Sequence, residues 1–480
     1  MKTRILLTVI APLLLAASTS WAGAEKIAGL PLHVQKIDSG VIRLWVGDHI
    51  SSTAIMAFAT SKGIVVVDTF GVPEIDIELR RVIARELGRS DFAFLINTHE
   101  HADHTGGNSV YADCTIVGHE LVAPGMAAAA GRRDFLLNWY PNRITELESE
   151  LKTLAADDPK ITALKEDITL SRLNLQTVEA GEEPARPSLT FSDRMTLDLG
   201  DTTFELSYIG GMHTASDTAI FVPEHGLLLT GDTMADVWLT DTPGCLASFV
   251  VRDGMPHDFP RFLANWDRLL TQRDRITTLL PAHWNGELSI EGAEARVEYV
   301  RTLWDGIHLA VDEGMGMAEV QAEYRLDHRF PDLVDSPGFD PQRHYTSIAE
   351  IWKEVTNQAS AARTLFTLLG EGADEAVVLE ILAERDAASP GYFYSEAEFN
   401  AYGYAFLQQN KVDEAIRMFR INTKLYPDSW NVYDSLGEAL LRAGDTDDAA
   451  AMYEKSLTLN PESPTGKEAL KNIKEGAATM

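Results

Sequence analysis

Cysteine is almost missing from this chain: Cys114 and Cys245 are the only two in 480 residues. That excludes a disulfide-rich scaffold, and since neither sits in a CxxC or a zinc-finger spacing it excludes a structural zinc finger too. Positive charge is scarce, with 41 Lys and Arg against 72 Asp and Glu and a formal net charge of -31. Such a chain lacks the cationic surface that releases counterions from a phosphate backbone, and no local basic patch offsets the total, so nucleic acid is excluded as a partner. A comfortable membrane span is lacking as well, because the apolar stretch "ILLTVIAPLLLAAS" is too short for one.

That stretch follows the basic "MKTR" and precedes the small residues of "SWAGA". The order is that of a secretory signal peptide over residues 1–24, with cleavage after Ala22 or Ala24. The protein is therefore expected to be periplasmic or secreted, without stable membrane insertion once the leader is gone. In an oxidising compartment Cys114 and Cys245 either pair or stay apart as two buried thiols; a core this large needs no staple, which favours separation. The length exceeds what one hydrophobic core supports, so at least two domains are expected.

Short runs rich in Val and Ile, "VIRLWVG", "STAIMAFAT" and "GIVVVDTF", bounded by Gly, Asp and Ser, read as strands of a largely antiparallel sheet. Pro73 then opens a helix through "IDIELRRVIARELG", which Gly88 ends. The strand "FAFLINTH" follows. Residues 141–178 keep helical spacing through Ile144, Leu147, Leu151 and Leu154, break at "DDP", and resume at Ile161, Leu164 and Ile168. A helical hairpin inserted on the outside of the domain is the simplest account, with a lid or dimer arm as the functional alternative. Strand-like text returns from 188 to 232, and helices dominate from about 258 to 312 around the apolar run "ITTLLPAHW". Two β-rich stretches, each followed by helices, suggest two halves facing each other.

The last eighty residues repeat. Gly403 and Gly437, Ala415 and Ala449, Phe419 and Tyr453, and Pro427 and Pro461 are each separated by 34 residues, the period of the tetratricopeptide helix pair. Glycine and alanine let paired helices approach, the aromatic fills the gap, and the proline stops the second helix. Two repeats and a solvating cap helix are expected over 396–478, after a helical linker at 358–395.

"THEHADHTGG" crowds His99, Glu100, His101, Asp103 and His104 just after an apolar run. His99 and His101 stand two apart, so both converge on one ion from an extended or turning backbone. The helical zinc-protease spacing is excluded, since the residue four after His99 is Asp103. Asp103 and His104 point instead to a second ion. His213 in "GGMHTASDT", Asp232 in "LLLTGDT" and His283 in "TTLLPAHW" occupy the same kind of place, at or just after a strand end.

With these motifs in this order, residues 25–357 resemble a metallo-β-lactamase-fold hydrolase. The resemblance implies an α/β fold, an αββα metallo-β-lactamase sandwich, here followed by the all-α tetratricopeptide-repeat domain. It implies two zinc ions, with iron or manganese as alternatives: one held by His99, His101 and His213, the other by Asp103, His104 and His283, and both bridged by Asp232. Asp68 in "VVVDT" becomes a supporting carboxylate. Two such cations share a water and lower its pKa from 15.7 toward ~7. The catalytic carboxylates implied are Asp232, the bridge, and Asp103, which orients the water or returns a proton to the leaving group of a small-molecule substrate. Thr98, Asp68 and Asn108 are expected to fix ligand tautomers. Where relatives read PGHG this chain reads "PAHWN", so Ala282 alters the loop and Trp284 is a candidate pocket wall. An aspartate at 232, where two-metal β-lactamases carry cysteine or serine, argues against a dedicated β-lactamase.

His119 is expected to be structural, and His225, His257, His308, His328 and His344 are assigned surface or core roles. The apolar loop 233–257 is either substrate wall or core. Two other readings stand beside the hydrolase: a redox member of the same fold, of sulfur-dioxygenase or di-iron-reductase type, and a repeat scaffold carrying a relic enzyme. The repeats are expected to bind a protein partner or build a homodimer.

Overall fold

The computed structural model describes residues 25–48, 52–234, 257–283, 289–331, 341–387 and 390–477. The expected leader, Cys245, Trp284 and nearly all of the 233–257 loop lie outside the described residues. Among the described residues no helix is long and apolar enough to cross a membrane.

Strands β1 (Lys26–Ile27), β2 (Leu30–Asp38), β3 (Val41–Val46), β4 (Ile55–Thr60), β5 (Gly63–Val67), β6 (Phe92–Ile96), β7 (Thr115–His119) and β8 (Leu189–Phe191) form one sheet in sequence order. Pairing is antiparallel up to β5 and parallel from β5 to β8. The second sheet runs β13 (Thr278–Leu280), β12 (Leu227–Leu229), β11 (Thr218–Val222), β10 (Thr203–Tyr208), β9 (Arg194–Asp198), antiparallel except for β12 with β13.

The alternation of strand side chains sorts the cores. Val65 and Val67 of β5 face Phe204, Leu206, Ile220 and Leu229 of the other sheet. Ile64 and Val66, pointing the opposite way, meet Ile75, Leu79, Val82 and Ile83 of helix α1 (Pro73–Leu87). Likewise Ile220 faces the partner sheet, whereas Ala219 and Phe221 meet helix α6 (Phe259–Leu270) and helix α7 (Ile290–Asp312). Helices outside and two sheets inside make the expected αββα sandwich.

Helix α1 shows what holds these layers. Its N-cap, Val72, makes no side-chain cap, which forgoes roughly 0.5–2 kcal/mol. Each buried Ile, Leu or Val on its inner face contributes roughly 1.5–3 kcal/mol. Burial, not capping, holds the helix, and Gly88 in the left-handed conformation ends it where the sequence placed the stop.

The inserted hairpin is α4 (Arg133–Thr153) and α5 (Lys160–Ala180), reached through α2 (Ala102–Thr105) and α3 (Val122–Ala130). It begins earlier than periodicity indicated because Pro141, which reads as a breaker, sits inside α4. Leu147, Leu164 and Ile168 close its own small core, and Glu166 ties it to the sheet through the Asp48 amide at 2.8 Å.

The C-terminal helices pair as Glu396–Gln408 with Val412–Leu425 and Trp430–Ala443 with Thr446–Leu459, followed by Pro464–Ala477. A Cβ at Gly403 would stand 2.4 Å from the Phe419 ring, and one at Gly437 3.0 Å from Tyr453. The 34-residue register is thus the register of helix contact. Helices Ala361–Gly370 and Glu375–Ala383, in the segment read as a linker, share one apolar core with Phe399, Phe406 and Phe419.

Candidate metal centre

Every anticipated donor sits just beyond the C-terminal end of a strand. His99 and His101 follow β6, and α2, four residues long, carries Asp103 and His104. His213 follows β10, Asp232 follows β12, and His283 follows β13. Backbone contacts gather these loops. Thr218 N bonds Thr98 O at 2.9 Å, Ala282 N bonds Gly231 O at 3.0 Å, and Ala54 N bonds Ala282 O at 2.6 Å. Buried Arg43 fixes the last loop by donating to Pro281 O at 2.6 Å. At Gly231, φ +54, a Cβ would stand 3.1 Å from Thr98, so only glycine lets the Asp232 loop reach the first cluster.

All seven donors come together. His99, His101, His213 and Asp232 form one group within 4.8 Å, and Asp103, His104 and His283 form another. His101 Nδ1 and His213 Nε2 are 3.1 Å apart, as are His104 Nε2 and His283 Nε2. Asp103 Oδ2 lies 3.1 Å from His283 Nε2 and 3.4 Å from His104 Nε2. Asp232 Oδ2 lies 3.1 Å from His213 Nε2, 3.2 Å from His283 Nε2 and 3.7 Å from His99 Nε2, between the two groups.

These separations fit a shared cation. Two donors about 2.05 Å from one tetrahedral ion stand roughly 3.3 Å apart. Without an ion, facing imidazole lone pairs at hydrogen-bond distance repel unless a proton sits between them. Among the described residues, buried His99 Nε2 and Asp232 Oδ1 have no hydrogen-bond partner, an orphaning that a buried polar atom avoids unless something else meets it.

Charge tells the same story. Burial lowers the pKa of His283, but Asp232 and Asp103 override it and push the imidazole up to about 10. Burial likewise opposes the shift at His104, yet Asp232, Asp103 and Asp68 hold it well above its ordinary value. His99 is driven well below its ordinary value by burial and then by the neighbouring imidazoles, chiefly His104. Desolvation opposes ionisation of Asp232, but His283 and His104 keep its carboxyl well below the usual range. The pit holds positive charge against its carboxylates, and a metal ion bound there would take the place of those protons.

Asp68 aims two ligands. It ends β5 at φ +60 and accepts Thr98 N at 2.8 Å and Thr98 Oγ1 at 2.7 Å. Its Oδ2 also stands 3.1 Å from His104 Nδ1. A carboxylate accepts only, so His104 Nδ1 carries a proton and Nε2 is the nitrogen turned inward, the one a metal ion would take. Thr98 Oγ1, its own proton given to Asp68, accepts from His99 Nδ1 at 3.0 Å with the same result. Asn108 corrects the expectation for it: it bonds Asn97 and Ala185 O rather than an imidazole, and Asn97 in turn holds His104 O. Glu100 turns away from the imidazoles to Ser216.

His119 is structural, stacked on Tyr208 at 4.1 Å and bonded to Ser192 O at 3.0 Å. Cys114 is half-buried, and burial first, then Asp113, pushes its thiol up to about 11. Two contributors had escaped the sequence reading. Buried Asp217 gathers the amides of Met212, His213 and Thr214 at 2.9, 2.6 and 2.9 Å and so shapes the His213 loop. Tyr140, on the hairpin, has its phenol pushed up to about 12 by burial and by the Asp103 charge. The spacing of Asp217 to His213 is an ordinary turn signal, and nothing in the sequence sets Tyr140 apart from other helix aromatics.

The family model for the metallo-beta-lactamase superfamily matches residues 47–283, and that for the tetratricopeptide repeat matches 401–464. The chain therefore carries a metallo-β-lactamase superfamily domain followed by a tetratricopeptide-repeat module. It is 22% identical over 228 residues to the 2,4-dinitroanisole O-demethylase subunit alpha of Nocardioides sp. (strain JS1661), covering 47% of this chain and 53% of that protein. The chain thus spans about half the length of that relative. Among solved structures, a metallo-beta-lactamase from Pontibacter korlensis is 17% identical with a TM-score of 0.36, over 56% of this chain and 97% of that one. A double mutant of the sec-alkyl sulfatase PisA1 is 11% identical with a TM-score of 0.45, over 93% of this chain and 65% of that one.

Proposed function

We propose that the chain is an exported, dinuclear-metal hydrolase that cleaves an ester-type bond in a small molecule: a lactone, thioester, phosphodiester or related group, with β-lactams among the candidates. The observation that supports it most is the convergence of seven donors from four strand ends at coordination spacing, with His99 Nε2 and Asp232 Oδ1 buried and without a hydrogen-bond partner among the described residues. His99, His101 and His213 would hold one ion, Asp103, His104 and His283 the other, and Asp232 would serve both. Zinc suits this imidazole and carboxylate set, and iron or manganese are the alternatives. When bound, such a pair supplies an acidified water and Lewis-acid polarisation of the substrate oxygen.

The protein's own contribution follows from its geometry. Asp68 and Thr98 keep Nε2 of His104 and of His99 turned inward before any ligand arrives. Asp103, its side chain 47% exposed while Asp232 is 4% exposed, stands at the mouth of the pit. It is the carboxylate within reach of solvent and substrate, placed to take a proton from the attacking water or return one to the leaving group. Tyr140 borders the same mouth and makes the hairpin part of the substrate wall. Export rests on the basic, apolar and small-residue order of the first 24 residues.

Metal analysis of protein purified without added metal, followed by a panel of lactone, thioester, phosphodiester, sulfate ester, β-lactam and aryl methyl ether substrates, tests the reading. Two ions per chain and turnover abolished in His101→Ala are expected. Stoichiometric iron without zinc, and no hydrolysis of any ester, would turn the assignment to the redox alternative.

A further inference from the structure

A buried ionic chain runs from the repeat module to the loop that carries His213. Glu398, on helix Glu396–Gln408, accepts Lys353 Nζ at 2.7 Å, and its second oxygen accepts the Ser360 hydroxyl. Lys353, on helix Pro341–Thr356, also donates to Glu350 Oε1 at 2.6 Å. The other Glu350 oxygen stands 3.8 Å from His257 Nε2. His257 Nδ1 lies 2.8 Å from the carbonyl oxygen of Gly211, two residues before His213. Glu354, one turn beyond Glu350, takes the His257 backbone N–H.

Glu354 is exposed, but the chain itself is not at the surface: His257 and Ser360 are 9% exposed, Lys353 7%, Glu398 6% and Glu350 4%. Lys, Glu and their like are almost never this buried unless paired, and a buried pair adds little stability over an apolar contact of the same volume. What such a chain supplies is orientation: hydrogen bonds fix Glu398, Lys353 and Glu350 on one another and His257 on Gly211, and a longer ionic contact of 3.8 Å joins the two parts.

The loop it meets is clamped from two sides. Asp217 holds three of its amides from within. From outside, Gly210 lies so close to the start of α6 that a Cβ would stand 2.8 Å from Asp258 O and 3.1 Å from Phe262 N. Met212 joins the apolar cluster of Phe259 and Phe262. His257 Nδ1 adds a polar contact on that outer side, at 2.8 Å from Gly211 O, and Glu350 stands 3.8 Å from the other ring nitrogen.

We propose that Glu398, Lys353, Glu350 and His257 are positioning residues through which the first tetratricopeptide repeat sets the place of His213, so that the module is a working part of the metal centre rather than an appended arm. Only the consequence for metal retention rests on the metal reading above; the mechanical coupling stands without it.

Lys353→Met in the full chain removes the ammonium that joins both carboxylates. Backbone hydrogen exchange on metal-free protein reads the loop directly. The amides of Met212, His213 and Thr214 are expected to exchange about 10-fold faster or more, while Ile220 and Phe221 in β11 keep their protection. Loop amides that do not change, or that speed up only in step with β11, overturn the coupling. If Lys353→Met does not fold, Glu398→Gln, which keeps the shape and drops the charge, is judged by the same amides.

Zinc competition against a chelator completes the test. The variant is expected to lose one ion selectively, by roughly 10- to 100-fold in affinity, and Lys353→Arg to restore part of it. A variant holding both ions as tightly as the unaltered protein overturns the positioning role. Unaltered protein that takes up no zinc overturns the metal reading instead, and the exchange result then decides the coupling alone.

Discussion

Asp68 orients one imidazole from each donor group, so replacing it should weaken both ions of the proposed pair, whereas cutting only its link to Thr98 should weaken one. Asp68→Asn is the informative change because position 68 sits at φ +60, which Asn tolerates better than Ala. The amide oxygen still accepts Thr98 N, now at 2.8 Å. Its NH2 replaces the oxygen that lies 2.7 Å from Thr98 Oγ1 and 3.1 Å from His104 Nδ1. Donor then faces donor at both contacts. Relief requires the Thr98 hydroxyl to turn and His104 to move its proton to Nε2, into the space a cation must fill. Loss of such an outer partner costs about 10- to 100-fold in metal affinity, or roughly 1.4–2.7 kcal/mol per ion. Thr98→Val leaves the Asp68 to His104 contact intact and unpairs only His99 Nδ1. Competition titration with a chromophoric chelator separates the cases: both equivalents weaken in Asp68→Asn, and one of the two in Thr98→Val. Equal weakening of both ions in Thr98→Val, or no change in Asp68→Asn, would refute the tautomer argument.

Three further outcomes follow from the same geometry. With His283 pushed up to about 10 and His104 held well above its ordinary value, the metal-free site carries protons at neutral pH. Metal uptake at pH 7 should therefore release about two protons and tighten up to tenfold per pH unit for each proton displaced, until pH nears that value; calorimetry in buffers of different ionisation enthalpy measures the release. Burial, opposed by the amides of Phe70, Gly71 and Val72, raises Asp76 from 3.8 to about 7. A raised folded-state value favours the protonated fold, so this group's stabilisation is full below about pH 4 and disappears as pH rises toward 7, by at most about 4 kcal/mol. Urea denaturation of metal-free protein should show that decline, and Asp76→Asn should flatten it; an unchanged slope in the variant goes against the assignment. At Gly403, helix propensity favours alanine by roughly 0.8–1 kcal/mol, but the new Cβ would meet the Phe419 ring at 2.4 Å, and overpacking costs about 1–3 kcal/mol. Gly403→Ala should thus lower the stability of the helical module in a urea melt, and a gain would mean the helices are not in contact there.

The sandwich, the repeats and the seven donors were legible because each leaves a local mark. Alternating Val and Ile marks a strand, a 34-residue recurrence marks a helix pair, and a histidine just past an apolar run marks a strand end. Contacts between distant segments leave none. The Asp217 cage reads as a common turn, and Pro141 reads as a break although α4 continues through it. His257 stood in the sequence as a lone histidine assigned to surface or core. Its significance comes from Gly211 on one side and Glu350 on the other, 46 and 93 residues away in the chain. The same asymmetry bears on what the repeats do. Their period declares a stack of helices, which taken alone suggests a binding arm. Only the packing of Glu398 against Lys353 shows that the stack begins inside the catalytic domain's own buried polar chain. On the proposed coupling, a partner gripping the module would act on His213 as well, through Glu398, Lys353, Glu350 and His257.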